Sequence, residues 1–258
     1  MNRLQEEKQI GEGFMVLSRG GGIGSQRNPY LWAGDQARNF DKLDDQLMAV
    51  INSGMSGVPF MTYDMAGYRY NGGGVAYTDP NSLEYESGVM ARGVEFSAFM
   101  PNIQSHGTVR NAYELNADAQ EIYINFTTLH SELADYITKY SQIACESGVP
   151  VARHPVLKYQ DDENVYSLND VFMLGDGLYI APIYYADQTS REVYLPEGSW
   201  TNLLTGKVIE GGQTITVEAN LGQIPVFLNN DSADADELRE IFEGDTWTAI
   251  KNWTPNAN

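Results

Sequence analysis

Two aspartates in this 258-residue chain directly follow short apolar runs, and each is placed to do acid–base or hydroxyl-binding chemistry. Trp32-Ala33-Gly34-Asp35 sets a carboxylate beside an indole and a permissive glycine, just past Tyr30-Leu31-Trp32. Held partly out of water there, Asp35 would have a raised pKa, as a general acid working near neutral pH requires. The same side chain could instead cap the helix expected after it, because aspartate is a favoured N-cap residue. Asp64 ends the Val58–Tyr63 run. It could accept a pair of hydroxyls, or open a turn with Gly67 close behind. Arg19 closes the Phe14–Ser18 run, where its planar fork could orient a carboxylate or a hydroxyl, or simply meet solvent. His106, followed by Gly107, could donate to a hydroxyl or serve structure alone. Trp32 and Tyr68 offer aromatic faces for a ligand to stack on.

The elements that must position these residues alternate between strand-like and helix-like patterns from Phe14 to His106. Residues 14–18, 30–32, 58–63 and 99–105 read as short buried strands. Phe40, Leu43, Leu47 and Val50 recur at helical spacing, which predicts a helix over roughly 37–53. A second helix is expected over about 82–98. The Tyr68-Arg69-Tyr70-Asn71 stretch with its three glycines reads as a loop. Such alternation indicates a parallel α/β sheet with crossover helices. Arg19, Asp35, Asp64 and His106 all come just after strands, the positions that line the catalytic mouth of a (β/α) barrel. Residues 117–147 present Ile122, Phe126, Leu129, Leu133, Ile137 and Tyr140 on one face, as one long helix or a broken pair. Beyond Gly148 the texture changes to short strands at 178–182, 192–195, 214–217 and 224–228, separated by Gly and Pro turns as in a small sandwich. The acidic segment from Asn230 is expected to form a surface helix and a loose end.

Composition removes several function classes. Sixteen Lys and Arg stand against 35 Asp and Glu, a net charge of -19. That field repels phosphate backbones, so no nucleic-acid partner is expected. Gly20-Gly21-Gly22-Ile23-Gly24 follows a strand, but neither a Walker lysine nor a G-x-G-x-x-G accompanies it, and Arg27-Asn28-Pro29 stands where a helix should begin. The three histidines are far apart and Cys145 is the only cysteine, so no metal site and no internal disulfide are expected. Ser25 and Ser105 lack a nucleophile-elbow context. No stretch approaches the roughly 20 apolar residues of a membrane span. The first 13 residues hold no signal-peptide core, which leaves the compartment open between the cytoplasm and export by a signal further upstream.

The order of the pieces adds a resemblance. Ser18-Arg19, Gly24-Ser25-Gln26-Arg27, Trp32-Ala33-Gly34-Asp35, Ser56-Gly57-Val58-Pro59, Tyr63-Asp64-Met65-Ala66-Gly67-Tyr68 and Ser105-His106-Gly107 resemble, in sequence, the motifs of glycoside hydrolase family 31. Pro150–Pro155, Leu174–Pro182 and Leu195–Trp200 are similar to the segments that follow its barrel. The match runs from about Phe14 to Leu228. It implies the second half of a (β/α)8 TIM barrel over 1–147, a small β-sandwich over 148–229 and an acidic tail over 230–258. It also implies a retaining α-glycoside hydrolase needing no cofactor, with Asp35 as general acid/base. Arg19, Trp32, Asp64 and His106 would line the subsite of the non-reducing sugar, with Tyr68 at its border. The implied partner is a carbohydrate with a terminal α-linked sugar, an α-glucoside by default. Met65-Ala66 stands where the family usually has Ile-Gly, and Gln36 where Asn is frequent.

Retaining cleavage needs two carboxyls about 5–5.5 Å apart. The family's nucleophile is an aspartate in a Trp-x-Asp motif upstream, and Asn2 to Glu12 contain neither Trp nor Asp. The resemblance therefore implies a fragment, a subunit that pairs with an N-terminal half chain, or a half that associates with itself. The alternative is a non-catalytic module that only assembles or binds sugar.

Overall fold

The computed structural model describes residues 17–19, 22, 24–27, 30–68, 80–106, 110–185 and 187–256. Phe14–Val16, the expected loop beyond Tyr68, and Gly107 lie outside the described residues. Three short strands, β1 (Leu17–Arg19), β2 (Tyr30–Trp32) and β3 (Met61–Thr62), form a parallel sheet in that order. Arg19 is level with Trp32, and Trp32 with Thr62, so the three strands end together.

The expected fourth strand over 99–105 does not form: this stretch carries no strand assignment. It still runs beside β3, because Met65 N–H donates to the Gln104 carbonyl at 2.8 Å. Side chains take over the pairing, with Asn102 Nδ2 donating to Thr62 Oγ1 at 3.1 Å. Pro101 has no N–H to give a ladder, which is one reason the run stays irregular. The strand expected over 58–63 is likewise shorter, two residues long.

Helix α1 (Leu43–Met55), preceded by one 3-10 turn at Phe40–Lys42, starts later than its pattern suggested. Leu43, Leu47, Val50, Ile51 and Gly54 form its buried stripe. Gly54 is there for space, since a Cβ would come within 2.9 Å of Pro150. Helix α2 (Pro80–Ser97) is buried along its whole C-terminal half and is the centre of the core. The 117–147 pattern resolves into a broken pair, α3 (Ala117–Glu132) and α4 (Ala134–Ser147). Asn116 caps α3 by accepting from Ala119 N–H, and Gly148 closes α4 in the left-handed conformation.

The remaining strands build two antiparallel layers. β4 (Ala152–Arg153), β5 (Phe172–Leu174), β6 (Leu178–Ile180), β8 (Ser199–Asn202), β9 (Val208–Glu210) and β11 (Val226–Asn229) form a six-stranded sheet, ordered β4-β5-β6-β11-β8-β9. β7 (Ser190–Leu195) pairs with β10 (Gln213–Glu218). Alternation across the sheet decides what goes where. The row Met173–Tyr179–Phe227, with Trp200 on the same face, meets Val193 and Leu195 of β7 in the sandwich core. The flanking rows, Phe172–Ile180–Val226 and Leu174–Leu178–Leu228, join the core built by the helices. Both faces of the sheet are thus buried, each large side chain contributing about 1.5–3 kcal/mol.

The acidic segment corrects an expectation. In place of a surface helix and a loose end there are two packed helices, α5 (Ala235–Phe242) and α6 (Asp245–Lys251). Leu238, Phe242, Trp247, Ile250 and Trp253 are all buried, while Asp236, Glu237 and Glu243 face solvent. Trp247 Nε1 donates to the Leu203 carbonyl at 2.9 Å, and buried Asp234 is bound by Lys139 and Tyr140. Sparse apolar residues at helical spacing were enough to dock a segment whose composition is dominated by charge. No helix among the described residues is long and apolar enough to cross a membrane.

Candidate active site

The common level of the strand ends brings three side-chain groups together. Arg19 leaves β1 with its guanidinium 5.1 Å from the Trp32 ring centroid, a cation–π distance. Its Nη1 lies 3.4 Å from Asp35 Oδ1. Gly34 makes this approach possible twice over. It adopts φ +86, which side chains rarely take, and a Cβ there would stand 3.2 Å from the Arg19 guanidinium.

Asp35 does not cap a helix. The 3-10 turn that precedes α1 is flanked by Asn39 and α1 itself by Lys42, so the capping alternative is set aside. The Asp35 carboxylate is 27% exposed, facing outward past Arg19.

Asp64 is fully buried, two residues beyond the end of β3. Trp32 Nε1 donates to its Oδ1 at 3.1 Å and Gln104 Nε2 donates to the same atom at 2.9 Å. Its other oxygen, Oδ2, is buried with no hydrogen-bond partner. Burial raises the Asp64 pKa; the Gln104 donor, His106 and Trp32 oppose the rise, and the nearby Asp35 charge adds to it. A buried acceptor without a partner costs free energy unless something donates to it.

The turn after Asp64 holds the site from the other side. Gly67 N–H donates to the Asp64 carbonyl at 2.7 Å, with Ala66 at φ 59 and Gly67 at φ +99. A Cβ on Gly67 would lie 2.6–2.7 Å from the Ala37 and Arg38 backbone, so the turn presses directly on the loop carrying Asp35. Tyr68 N–H then donates to the Gln36 carbonyl at 2.8 Å. Tyr68 meets His106 edge-on, ring centroids 4.4 Å apart. The six residues singled out from the sequence thus fall into two touching groups: Arg19, Trp32, Asp35 and Asp64 in one, Tyr68 and His106 in the other. Gln104 was not singled out. It stands one residue before Ser105-His106, inside a run read as a plain strand, and neutral polar residues in strands carry little signal by type alone. Among the described residues no group of three His, Cys, Asp or Glu is arranged to hold a metal ion.

Residues 1–140 match the family model of the glycosyl hydrolases family 31 TIM-barrel domain, and residues 148–233 match that of the glycosyl hydrolase family 31 C-terminal domain. The chain belongs to glycoside hydrolase family 31. It is 31% identical over 224 residues to α-glucosidase 2 of Bacillus thermoamyloliquefaciens, covering 85% of this chain and 27% of that protein. It is 31% identical over 236 residues to a sulfoquinovosidase of Escherichia coli strain K12, covering 89% and 33%. Among solved structures it resembles a family 31 sulfoquinovosidase from E. rectale with a TM-score of 0.81 at 29% identity, covering 93% of this chain and 36% of that one. The chain therefore spans about a third or less of the relatives it matches. Its fold is a part of the family 31 TIM barrel followed by the family's C-terminal β-domain, as the sequence implied.

Proposed function

We propose that this chain supplies the general acid/base and much of the sugar pocket of a retaining α-glycoside hydrolase. The observation that carries the reading is the Arg19–Asp35 pair set beside a buried Asp64 that still has one oxygen to fill. Asp35 would protonate the leaving oxygen and later take the proton from the attacking water. Asp64 Oδ2 would accept a sugar hydroxyl while Trp32 and Gln104 hold the other oxygen. Arg19 would steer Asp35, and Tyr68 with His106 would border the pocket.

The nucleophilic carboxylate belongs, on this reading, to a segment of a longer protein or to another chain. Asp64, the other carboxylate of the group, is held at Oδ1 by two donors and serves the sugar on this reading. A partner half, or self-association, would also cover the outer edge of β1, where Leu17 and Arg19 are exposed. The divisions at 147/148 and 229/230 are part of the same proposal.

The relatives named above, an α-glucosidase and sulfoquinovosidases, make α-glucosides and sulfoquinovosides the sugars to compare. The α-glucoside is the first to test. In the full-length protein that carries this chain, Asp35→Asn should strongly slow cleavage of an unactivated disaccharide and spare the bond-breaking step of activated aryl α-glycosides. Azide should restore deglycosylation in Asp35→Ala with an activated substrate, because it needs no base. Equal turnover of parent and Asp35→Asn on the disaccharide would end the assignment, and an inactive parent across the glycoside panel would favour the non-catalytic module.

A further inference from the structure

The loop carrying Asp35 is gripped from below by charges that no step of the proposed reaction uses. Arg38, three residues past Asp35, is 3% exposed, and Glu86 on α2 is 2% exposed. Arg38 Nη1 lies 3.5 Å from Glu86 Oε2. Arg110, four residues past His106, donates through Nε to Glu86 Oε1 at 3.1 Å and through Nη2 to Ser82 Oγ at 3.2 Å. Arg38 Nη1 also donates to the Arg110 carbonyl at 2.9 Å. One carboxylate on α2 therefore receives a guanidinium from the Asp35 loop and another from the stretch following His106.

Burying Arg38 and Glu86, with Arg110 largely covered, is costly, and apolar side chains of similar volume would hold a loop at least as stably. What the charged contacts add is direction: Glu86 Oε2 faces Arg38 and Oε1 faces Arg110, so each oxygen of one carboxylate is tied to a different segment, which apolar contact would not specify. The same loop also meets the Asp64 turn, where Gly67 leaves no room for a Cβ and Tyr68 binds the Gln36 carbonyl. Asp35 thus sits on a strip of backbone clamped between a turn and a charge cluster.

We propose that Glu86, with Arg38 and Arg110, is a positioning cluster that sets the angle of the Asp35 carboxylate relative to the Trp32–Asp64 pair. These are positioning residues, acting through Asp35. The inference rests on Asp35 being the acid/base. Proton delivery to a leaving oxygen is sensitive to placement, and an error of about 1 Å can cost on the order of 10²-fold. Loss of the clamp should therefore be felt where protonation matters most.

The test is a leaving-group series in the full-length protein, with parent, Asp35→Asn, Glu86→Gln, Glu86→Asp and Arg38→Lys compared. Active sites are counted by titration with a slow-reacting mechanism-based glycoside, so that misfolded protein is not read as slow protein. Glu86→Gln should lose about 10- to 100-fold on the unactivated disaccharide and poor aryl leaving groups, and about threefold or less on the most activated aryl glycoside. Its log kcat/KM should depend more steeply on leaving-group basicity than the parent's, in the direction of Asp35→Asn. Glu86→Asp, which keeps the charge, should recover part of that loss. Arg38→Lys, which keeps the charge of the cluster but is too short to place a donor where Nη1 meets both Glu86 and the Arg110 carbonyl, should reproduce the steeper dependence and stands in if Glu86→Gln does not fold. A uniform loss across all leaving groups, or the parent's slope in both Glu86→Gln and Arg38→Lys, would overturn the positioning role while a steep Asp35→Asn left the acid/base reading intact. A flat Asp35→Asn series would overturn both.

Discussion

Two arginine–carboxylate pairs in this protein are alike in chemistry and opposite in setting. Arg92 and Glu95, on α2, are fully buried with Nη1 2.9 Å from Oε2. Arg92 also donates to the carbonyls of Tyr185, Gln188, Asn220 and Gln223, and Glu95 accepts from Gly222 N–H at 2.7 Å. The pair stitches the central helix to loops of the β-domain. Arg19 and Asp35 are 3.4 Å apart with side chains 60% and 27% exposed, and Arg19 lies over the Trp32 face. A charge pair surrounded by backbone partners cannot move without stranding them, and so serves structure. One left open to solvent at a strand end keeps its carboxylate free to exchange a proton. Whether a pair is glue or chemistry is decided by how many other polar groups depend on it.

The sharpest way to break that contrast is to remove one member of each pair. In the full-length protein, Asp35→Asn should cost about 10²–10⁴-fold in turnover of unactivated glycosides, measured by steady-state kinetics. Its stability should stay within about 1 kcal/mol of the parent, as for other exposed pairs. Arg92→Ala should do the reverse. Leaving Glu95 buried and unpaired should destabilise the fold by about 3–5 kcal/mol in chemical denaturation. A mild Arg92→Ala would mean that the buried pair is not the fastener described.

The pairs also differ in their response to pH. Burial pushes Glu95 up from 4.5 to about 7, against the opposing pull of Arg92 and the Gly222 N–H. Since the folded value lies above the unfolded one, the folded state holds the proton more tightly. Its contribution is full below about pH 4.5 and is lost as pH rises through about 7. Relative to Glu95→Gln, which cannot titrate, the parent should therefore lose stability between pH 5 and pH 8. Denaturant midpoints of both proteins at the two pH values would show it, and a parallel pair of curves would argue against the shift.

The smallest expected effect lies at Gly34. Replacing it with Ala places a Cβ 3.2 Å from the Arg19 guanidinium at φ +86. The left-handed backbone should cost about 1–2 kcal/mol. Arg19 has room to yield, so the fold should survive while the Asp35 setting, and with it turnover of poor leaving groups, changes. Unaltered stability and kinetics would mean the loop relaxes freely.

Local pattern made much of the fold legible. The stripes Leu43–Leu47–Val50 and Ile122–Phe126–Leu129 are buried as their spacing implied, because a helix face is a property of a dozen neighbouring residues. Strands β6 and β11 fall inside the apolar runs read at 178–182 and 224–228, whereas β5, beside β6 in the sheet, lies outside every run read as a strand. Where neighbours in space are far apart in sequence, pattern was weaker. The apolar run at 99–105 looked like a strand, yet whether it pairs depends on what lies alongside it and on Pro101 having no N–H. The acidic composition of the last segment suggested a loose end, and only the groove left by α3, α4 and the β-domain decided that Leu238, Trp247 and Trp253 would be buried.

The candidate site divides along the same line. By itself the amino-acid order determined that Arg19, Asp35, Asp64 and His106 would each follow an apolar run, and that their succession resembles one hydrolase family. It did not determine that Asp35 would face Arg19 rather than cap a helix, or that Trp32 and Gln104 would share a single oxygen of Asp64. Nor did it indicate that Glu86, on a helix far along the chain, would anchor the Asp35 loop through Arg38. Hydrogen bonds and ion pairs form within about 3–4 Å and depend on angle. That geometry exists only once β1, β2 and β3 end level and α2 has packed beneath them, which is why the tertiary structure alone assigns the partners.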